Sequence, residues 1–240
     1  MSMTVTRRKD SKTPRVIMHR VADIRGGVSI KTSELGGDYL NEGSVLSAPV
    51  NGICHVLKIA ALYAAATDNA TTLKVKKNHH LKVNDVITLG TGSKAVSIAA
   101  IDEENSAYDE LTLSETLGVA LEAGKQLVQA AEVSLAGYYP CESTDTGALK
   151  VVTADASDGE ILKTDVTPWR GTGTAPNANT YVVLKAASSE LKYAPLAISG
   201  TGKAVDPKTN MDMDAWLIAV TKGNPLPDCV AAALKGIINY

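Results

Sequence analysis

The chain has 240 residues, of which 45% are hydrophobic and 21% charged, so it is neither disordered nor too short for a core: it suffices for one large domain or two small ones. There is no Phe, only two Trp and eight Tyr, and 32 Ala, so each apolar residue buries little area and the core gains from further burial between subunits; a homo-oligomer is expected, with a trimer favoured. The net charge of −2 is uneven: residues 1–25 hold seven Lys/Arg against two acids, a charge of +5, leaving 17 against 24, or −7, in the rest, which excludes a dedicated nucleic-acid-binding domain.

Residues 1–43 read as a basic, extended N-terminal arm punctuated by Gly26-Gly27 and Gly36-Gly37, in which Val16, Ile17, Val21, Ile24, Val28 and Ile30 leave open short strands or a partner-docked segment. Arg7-Arg8-Lys9 is too hydrophilic for the protein's own core, and with Arg15 and Arg20 it forms a candidate attachment segment, seconded by Val16, Ile17, Val21 and Ile24. The alternative is a mobile, solubilising tail. If residues 1–25 serve attachment alone, a chain beginning at Gly26 should still fold.

Residues 44–131 read as a small β domain of short strands, with turn signals about every ten residues. Ser44–Val50 and Ile53–Ala60 flank Asn51-Gly52, the pair that suits a type I′ hairpin turn. Thr71–Lys76 places Leu73 and Val75 on one face and Lys74 and Lys76 on the other. Val86–Leu89, a Gly90-Thr91-Gly92 turn, Ala95–Ile101, Tyr108–Leu113 and Lys125–Ala130 follow, with Leu111 and Leu113 inward and Thr112 outward.

Residues 132–240 read as a second β-rich domain, joined at Tyr138-Tyr139-Pro140. Strands are expected at Ala148–Thr153, Glu160–Thr164, Tyr181–Ala186 and Asp214–Val220. The long loop Thr167–Thr180 holds Trp169 and Arg170, candidate interface anchors because Trp and Arg dominate binding hot spots. Asp228–Gly236 reads as a short helix with Asp228 as N-cap and Gly236 as stop. The fold class is thus mainly β: small barrel- or sandwich-like modules, an extended N-terminal arm and a short C-terminal helix.

No motif carries recognisable chemistry, and no cofactor, metal or catalytic residue is assigned. His79-His80 with Cys54-His55 invites a metal, but adjacent extended residues face opposite ways, so a turn pair ahead of a strand at Leu81 is the plainer reading. The acidic run Asp102–Glu110 lacks the spacing of a calcium loop, with Ala107 and Leu113 where Gly and Glu are needed, and reads as a solvated hairpin loop. Gly90–Lys94 and Gly200–Lys203 are only fragments of a phosphate loop and read as hairpin turns. Asp212 and Asp214 read as polar capping of an exposed strand end, and no G-x-S-x-G elbow occurs. Cys54, Cys141 and Cys229 are odd in number and widely spaced, so no disulfide framework is expected. No apolar run reaches the roughly 18 residues of a membrane span, and no secretory leader is expected from the charged start.

Three stretches carry a resemblance: NEGSVLSAPVNGICHVLKIAAL, the run HHLKVNDVITLG through LVQAA with its AID…N…YD.LTL pattern, and the C-terminal LKYAPLAISG…DAWLIAV…ALKGIINY. Together, over about three-fifths of the chain, they resemble head fibre or capsid-decoration proteins of tailed phages and prophages of gut Bacteroidales. Where that pattern has LKVGD this chain has Lys82-Val83-Asn84-Asp85, and Asn tolerates the left-handed backbone a Gly would supply. The resemblance implies a non-enzymatic virion structural protein, often multimeric. It would be made in the bacterial cytoplasm and attached to the outer head shell, with the major capsid protein as partner and neither nucleic acid nor membrane bound. Two other readings stand beside it: a carbohydrate- or host-surface-binding β module using Trp169 and nearby Tyr residues, and a hydrolase with an unrecognised site.

Overall fold

The computed structural model describes residues 15–132, 137–143, 149–151, 181–185 and 189–240. The chain is mainly β. Its strands are Ile17–Asp23 (β1), Val28–Ile30 (β2), Tyr39–Leu40 (β3), Val45–Ser47 (β4), Ile59–Ala61 (β5), Thr72–Lys76 (β6), Val86–Thr88 (β7), Ala95–Asp102 (β8) and Tyr108–Leu113 (β9). They continue with Gln126–Gln129 (β10), Gly137–Ser143 (β11), Leu149–Val151 (β12), Tyr181–Lys185 (β13), Pro195–Ser199 (β14), Lys203–Ala204 (β15), Met211–Met213 (β16), Ala215–Thr221 (β17) and, after the helix Asp228–Ala233 (α1), Ile237–Asn239 (β18).

Contacts divide the chain into two units, one of Met1–Ala60, Lys76–Lys82 and Tyr193–Tyr240, the other of Ala61–Val75 and Val83–Lys192. These differ from the boundaries 1–43, 44–131 and 132–240 read from the sequence, because strands pair with partners nearly two hundred residues away. In the first unit the order β1-β17-β14-β4 makes one sheet, with β18 parallel on β17. Two-stranded ladders β2–β16 and β3–β15 complete it. Its core is aliphatic: Ile30, Leu35, Leu40, Leu46, Cys54, Val56, Met211, Met213 and Ala215 are buried together.

Residues 15–43, read as an arm, are therefore part of this unit: Ile17 is fully buried and β1 runs antiparallel to β17 from Ile17↔Thr221 to Asp23↔Trp216. A chain beginning at Gly26 would lose that strand and the buried Ile17 with it. The pairing is hidden from the sequence, since five of the seven β1 residues, Met18, His19, Arg20, Val21 and Asp23, face solvent, while the partner lies near the other end of the chain.

The second unit holds the antiparallel order β5-β10-β7-β8-β9-β6 and a separate three-stranded sheet, β12-β11-β13. Here the alternation is as read: Leu73 and Val75 are buried between exposed Thr72, Lys74 and Lys76, and Leu111 and Leu113 are buried around exposed Thr112. In the first unit Asn51 (φ 52°) and Gly52 (φ 81°) make the hairpin turn between Val50 and Ile53, and in the second Asn84 takes φ 72°, as its left-handed tolerance allows. The helix α1 is shorter than read. Pro227 rather than Asp228 is its N-cap and makes no side-chain cap bond, and Gly236 lies beyond its end. A Cβ at Gly236 would strike the carbonyl oxygen of Leu217, so close packing onto β17 explains that glycine. The strand expected at Glu160–Thr164 lies outside the described residues.

Candidate functional site

Of the attachment residues, Arg7, Arg8 and Lys9 lie outside the described residues, as do Trp169 and Arg170 of the long loop. Arg15 is exposed, two residues before β1. Arg20 is tied to its own fold: its Nη2 donates to the Gly200 carbonyl at 2.7 Å, and its guanidinium carbon stands 5.3 Å from the Trp216 ring centroid. The stacking orients Arg20 over the sheet and covers part of the scarce indole surface.

β1 is an edge strand, and its register with β17 slips three times: at Met18 and at Val21, the two β1 residues without a partner, and between Ala22 and Asp23, where Leu217 of β17 is passed over. Bulges of this kind kink an edge and discourage another strand from adding to it. They also leave Met18 50% and Val21 58% exposed. Beside them, Val220 of β17 stands opposite both His19 of β1 and Ile238 of β18, and Ile218 stands opposite Ala22. Directly opposed residues share a face, as do residues two apart on a strand. Ile218, Val220 and Ile238 therefore form one surface across β17 and β18, with Ile218 44% and Ile238 61% exposed. Tyr240 continues it, with Lys222 Nζ 5.7 Å from its ring centroid. Arg15, Arg20 and Lys222 fringe this apolar face with positive charge; Asp23, opposite Trp216, is the acid on β1.

The histidine pair is a clip inside the first unit. Gly36 N–H donates to the His80 carbonyl at 3.0 Å, Gly37 N–H donates to His80 Nδ1 at 3.2 Å, and Leu81 N–H donates to His79 Nδ1 at 3.0 Å. Both rings are buried, and His80 takes φ 59°. Burial pulls the His80 pKa down to about 4, helped by the charges of His79 and Lys58 and opposed by the Tyr39 carbonyl and Asp38. His55 is engaged elsewhere. Its ring stacks on Tyr193 at 4.3 Å and its Nδ1 lies 2.9 Å from Glu34 Oε2, which also accepts the Tyr193 hydroxyl at 2.7 Å. Burial pushes the Glu34 pKa up, but these two hydrogen bonds and the charges of His55 and Lys31 outweigh it and leave the pKa below its usual value. Burial raises the Cys54 thiol pKa. Among the described residues no three His, Cys, Asp or Glu side chains converge as a metal site.

The phosphate-loop fragments are packing glycines and turns. A Cβ at Gly200 would strike Asp214 and Trp216, one at Gly202 would press on the Tyr39 ring, and Ser93 N–H closes onto the Gly90 carbonyl at 3.0 Å. Asp212 and Asp214 have separate work: Asp212 pairs with Ser29 across β16 and β2, and Asp214 Oδ1 accepts the Thr201 hydroxyl at 3.0 Å. The acidic run forms the β8–β9 hairpin of the second unit, whose tip is exposed from Glu103 to Ala107. Asp102, Glu104, Asn105, Tyr108 and Glu110 line a hollow of about 350 Å³. The Tyr108 ring is braced by Tyr63 at 5.2 Å and by Lys74 Nζ at 4.8 Å.

Sequence reasoning did not find the β17–β18 face. Its residues lie in a strand read as Asp214–Val220 and in the last residues after the expected helix Asp228–Gly236, for which the sequence assigns no element, and only the parallel return of β18 sets Ile238 beside Val220. No family model, curated protein or solved structure matches this chain.

Proposed function

We propose that the protein is a non-enzymatic virion structural protein, a head fibre or decoration protein held on the outer surface of a phage capsid. The observation that carries the reading is where the charge is placed. The segment with Arg7, Arg8, Lys9 and Arg15 leads directly into β1, the edge of a sheet in a unit where Ile17 is the first core residue among the described ones. Contacts made through that segment need not displace a core side chain, and its positive charge suits an acidic groove on a larger shell. The sequence resemblance to decoration proteins supports the same reading, with the major capsid protein as the partner. Arg20 is reassigned: it steadies Trp216 and is not counted among the attachment residues.

The test removes residues 1–14 and replaces Arg15 by Glu, leaving β1 intact. The shortened protein is expected to keep the melting temperature of the full chain and to stop co-sedimenting with capsids of its phage. Binding by the full chain is expected to weaken with added salt, since exposed pairs are screened within about 8 Å at physiological ionic strength. Undiminished capsid binding by the shortened protein would refute the assignment. A second reading, a carbohydrate- or host-surface-binding module, is favoured by Tyr63, which is 47% exposed and paired with Tyr108. It requires Tyr63→Ala to abolish binding to host-surface glycans while leaving capsid binding unchanged.

A further inference from the structure

We propose that the apolar face of β17 and β18 is the seat for the acidic β8–β9 hairpin of a second copy of the chain, a head-to-tail contact that builds the oligomer. The proposal goes beyond capsid attachment and does not depend on it.

Four observations lead to this occupant. The face is apolar at its centre, with Ile218, Ile238 and Tyr240 exposed in a chain that has few large side chains to leave uncovered. Contiguous exposed apolar surface with a polar rim marks an interaction site. The bulges at Met18 and Val21 disfavour strand addition along β1, so the open contact is the face and not the edge.

The rim then selects the partner. Two copies of this face laid on each other would bring three cations, Arg15, Arg20 and Lys222, and a single β1 acid, Asp23, together from each side, and such a net like-charge juxtaposition is unfavourable. The opposite charge lies elsewhere on the same chain, in the hairpin that bears Asp102, Glu104 and Glu110. That hairpin is more than a row of carboxylates. Its hollow of about 350 Å³ is also lined by Asn105 and Tyr108, so it offers a concave, acceptor-rich surface to the Lys222 ammonium beside Tyr240. Because the two surfaces differ, the contact is heterologous: it closes into a ring or runs on as a filament, and each copy uses one face and one hairpin. A ring of three accords with the trimer expected from the thin core.

The experiment uses the full chain and two variants, Lys222→Glu on the face and the pair Glu104→Lys with Glu110→Lys on the hairpin, followed by sedimentation velocity. Wild type is expected at a multiple of 25.1 kDa. Each variant alone is expected to associate at least about tenfold more weakly, through an introduced like charge. The decisive result comes from mixing them. The intact face of the hairpin variant meets the intact hairpin of the face variant, and the two reversed surfaces again oppose unlike charges, so the mixture should regain association that neither variant shows alone. Melting curves matching wild type confirm that both variants are folded. A monomeric wild type, variants that assemble normally, or a mixture that stays monomeric would each overturn the proposal. Weakening by the face variant alone would point to a different occupant and overturn it equally.

Discussion

Acid should loosen the first unit through His80, and the size of the effect follows from its surroundings. The ring is 6% exposed, and its Nδ1 accepts the Gly37 amide, so the neutral form is built into the fold. Its pKa is held down at about 4, from burial first and the neighbouring positive charges of His79 and Lys58 second. In the unfolded chain the same ring titrates near about 6.5. Below that value the unfolded state binds a proton that the folded state refuses, so stability falls as pH falls from about 6.5 to about 4 and is unaffected above it. A displacement of about 2.5 units at about 1.4 kcal/mol each gives roughly 3 kcal/mol in full, of which about 2 kcal/mol is lost by pH 5. His80→Asn is the control, because Asn accepts the left-handed backbone that His80 occupies at φ 59° and has no titrating ring. Urea unfolding of both proteins at about pH 7.5 and about pH 5, with hydrogen exchange of residues 76–82 to assign the transition, isolates the effect. The variant is expected to be less stable near neutrality, having lost the Gly37 contact, yet to lose about 2 kcal/mol less on acidification. Glu34, whose pKa lies below its usual value, loses its contribution as pH falls through the carboxylate range, and does so in both proteins. Equal losses in wild type and variant would refute the reasoning.

Two further outcomes test the packing of the same unit. Ile17→Ala is expected to cost about 2–5 kcal/mol and a chain beginning at Gly26 to leave the first unit unfolded, because Ile17 is fully buried and β1 supplies a sheet edge; a cooperative thermal transition for that shortened chain would contradict it. Gly36→Ala is expected to cost about 2–3 kcal/mol, since its Cβ would strike the backbone carbonyls of Leu81 and His80, which cannot rotate away; a change in unfolding free energy under about 0.5 kcal/mol would show that the clip yields.

The sequence was most legible where structure is local. Asn51-Gly52 requires two left-handed residues and nothing from the rest of the chain, and the alternation in Thr72–Lys76 needs only one buried face. Glycine signals were less reliable, because the same residue serves a turn and a close approach. Gly236 read as a helix stop and Gly200 as a turn, yet both make room for β17, against Leu217 and against Trp216. Gly37, read as punctuation in an arm, gives room to the His80 ring. Strand pairing was the least legible of all. β2 and β3 are three and two residues long, and each is closed by a strand about 160–180 residues further on; periodicity in so short a segment does not name its partner.

The candidate site shows why composition alone misplaced the arm. Seven basic residues in the first 25 read as one electrostatic segment, but the boundary that matters falls inside it, at Ile17. Ile17 is the first fully buried side chain among the described residues, and beyond it Arg20 is held by the sheet. Arg20 illustrates the change, since it gives one bond to Gly200 and its plane to Trp216, and the cost of drawing a guanidinium onto an indole is offset because its charge stays at the surface. A charge count treats Arg15 and Arg20 alike, whereas the sheet makes one a free surface cation and the other a brace. The same distinction applies to the acids. Asp109, next to the exposed hairpin, is 4% exposed, whereas Asp102 and Glu104 face the hollow. The surface field that a partner meets is therefore set by strand parity within each charged run, and a reversal at Glu104 should alter association where one at Asp109 would chiefly alter folding.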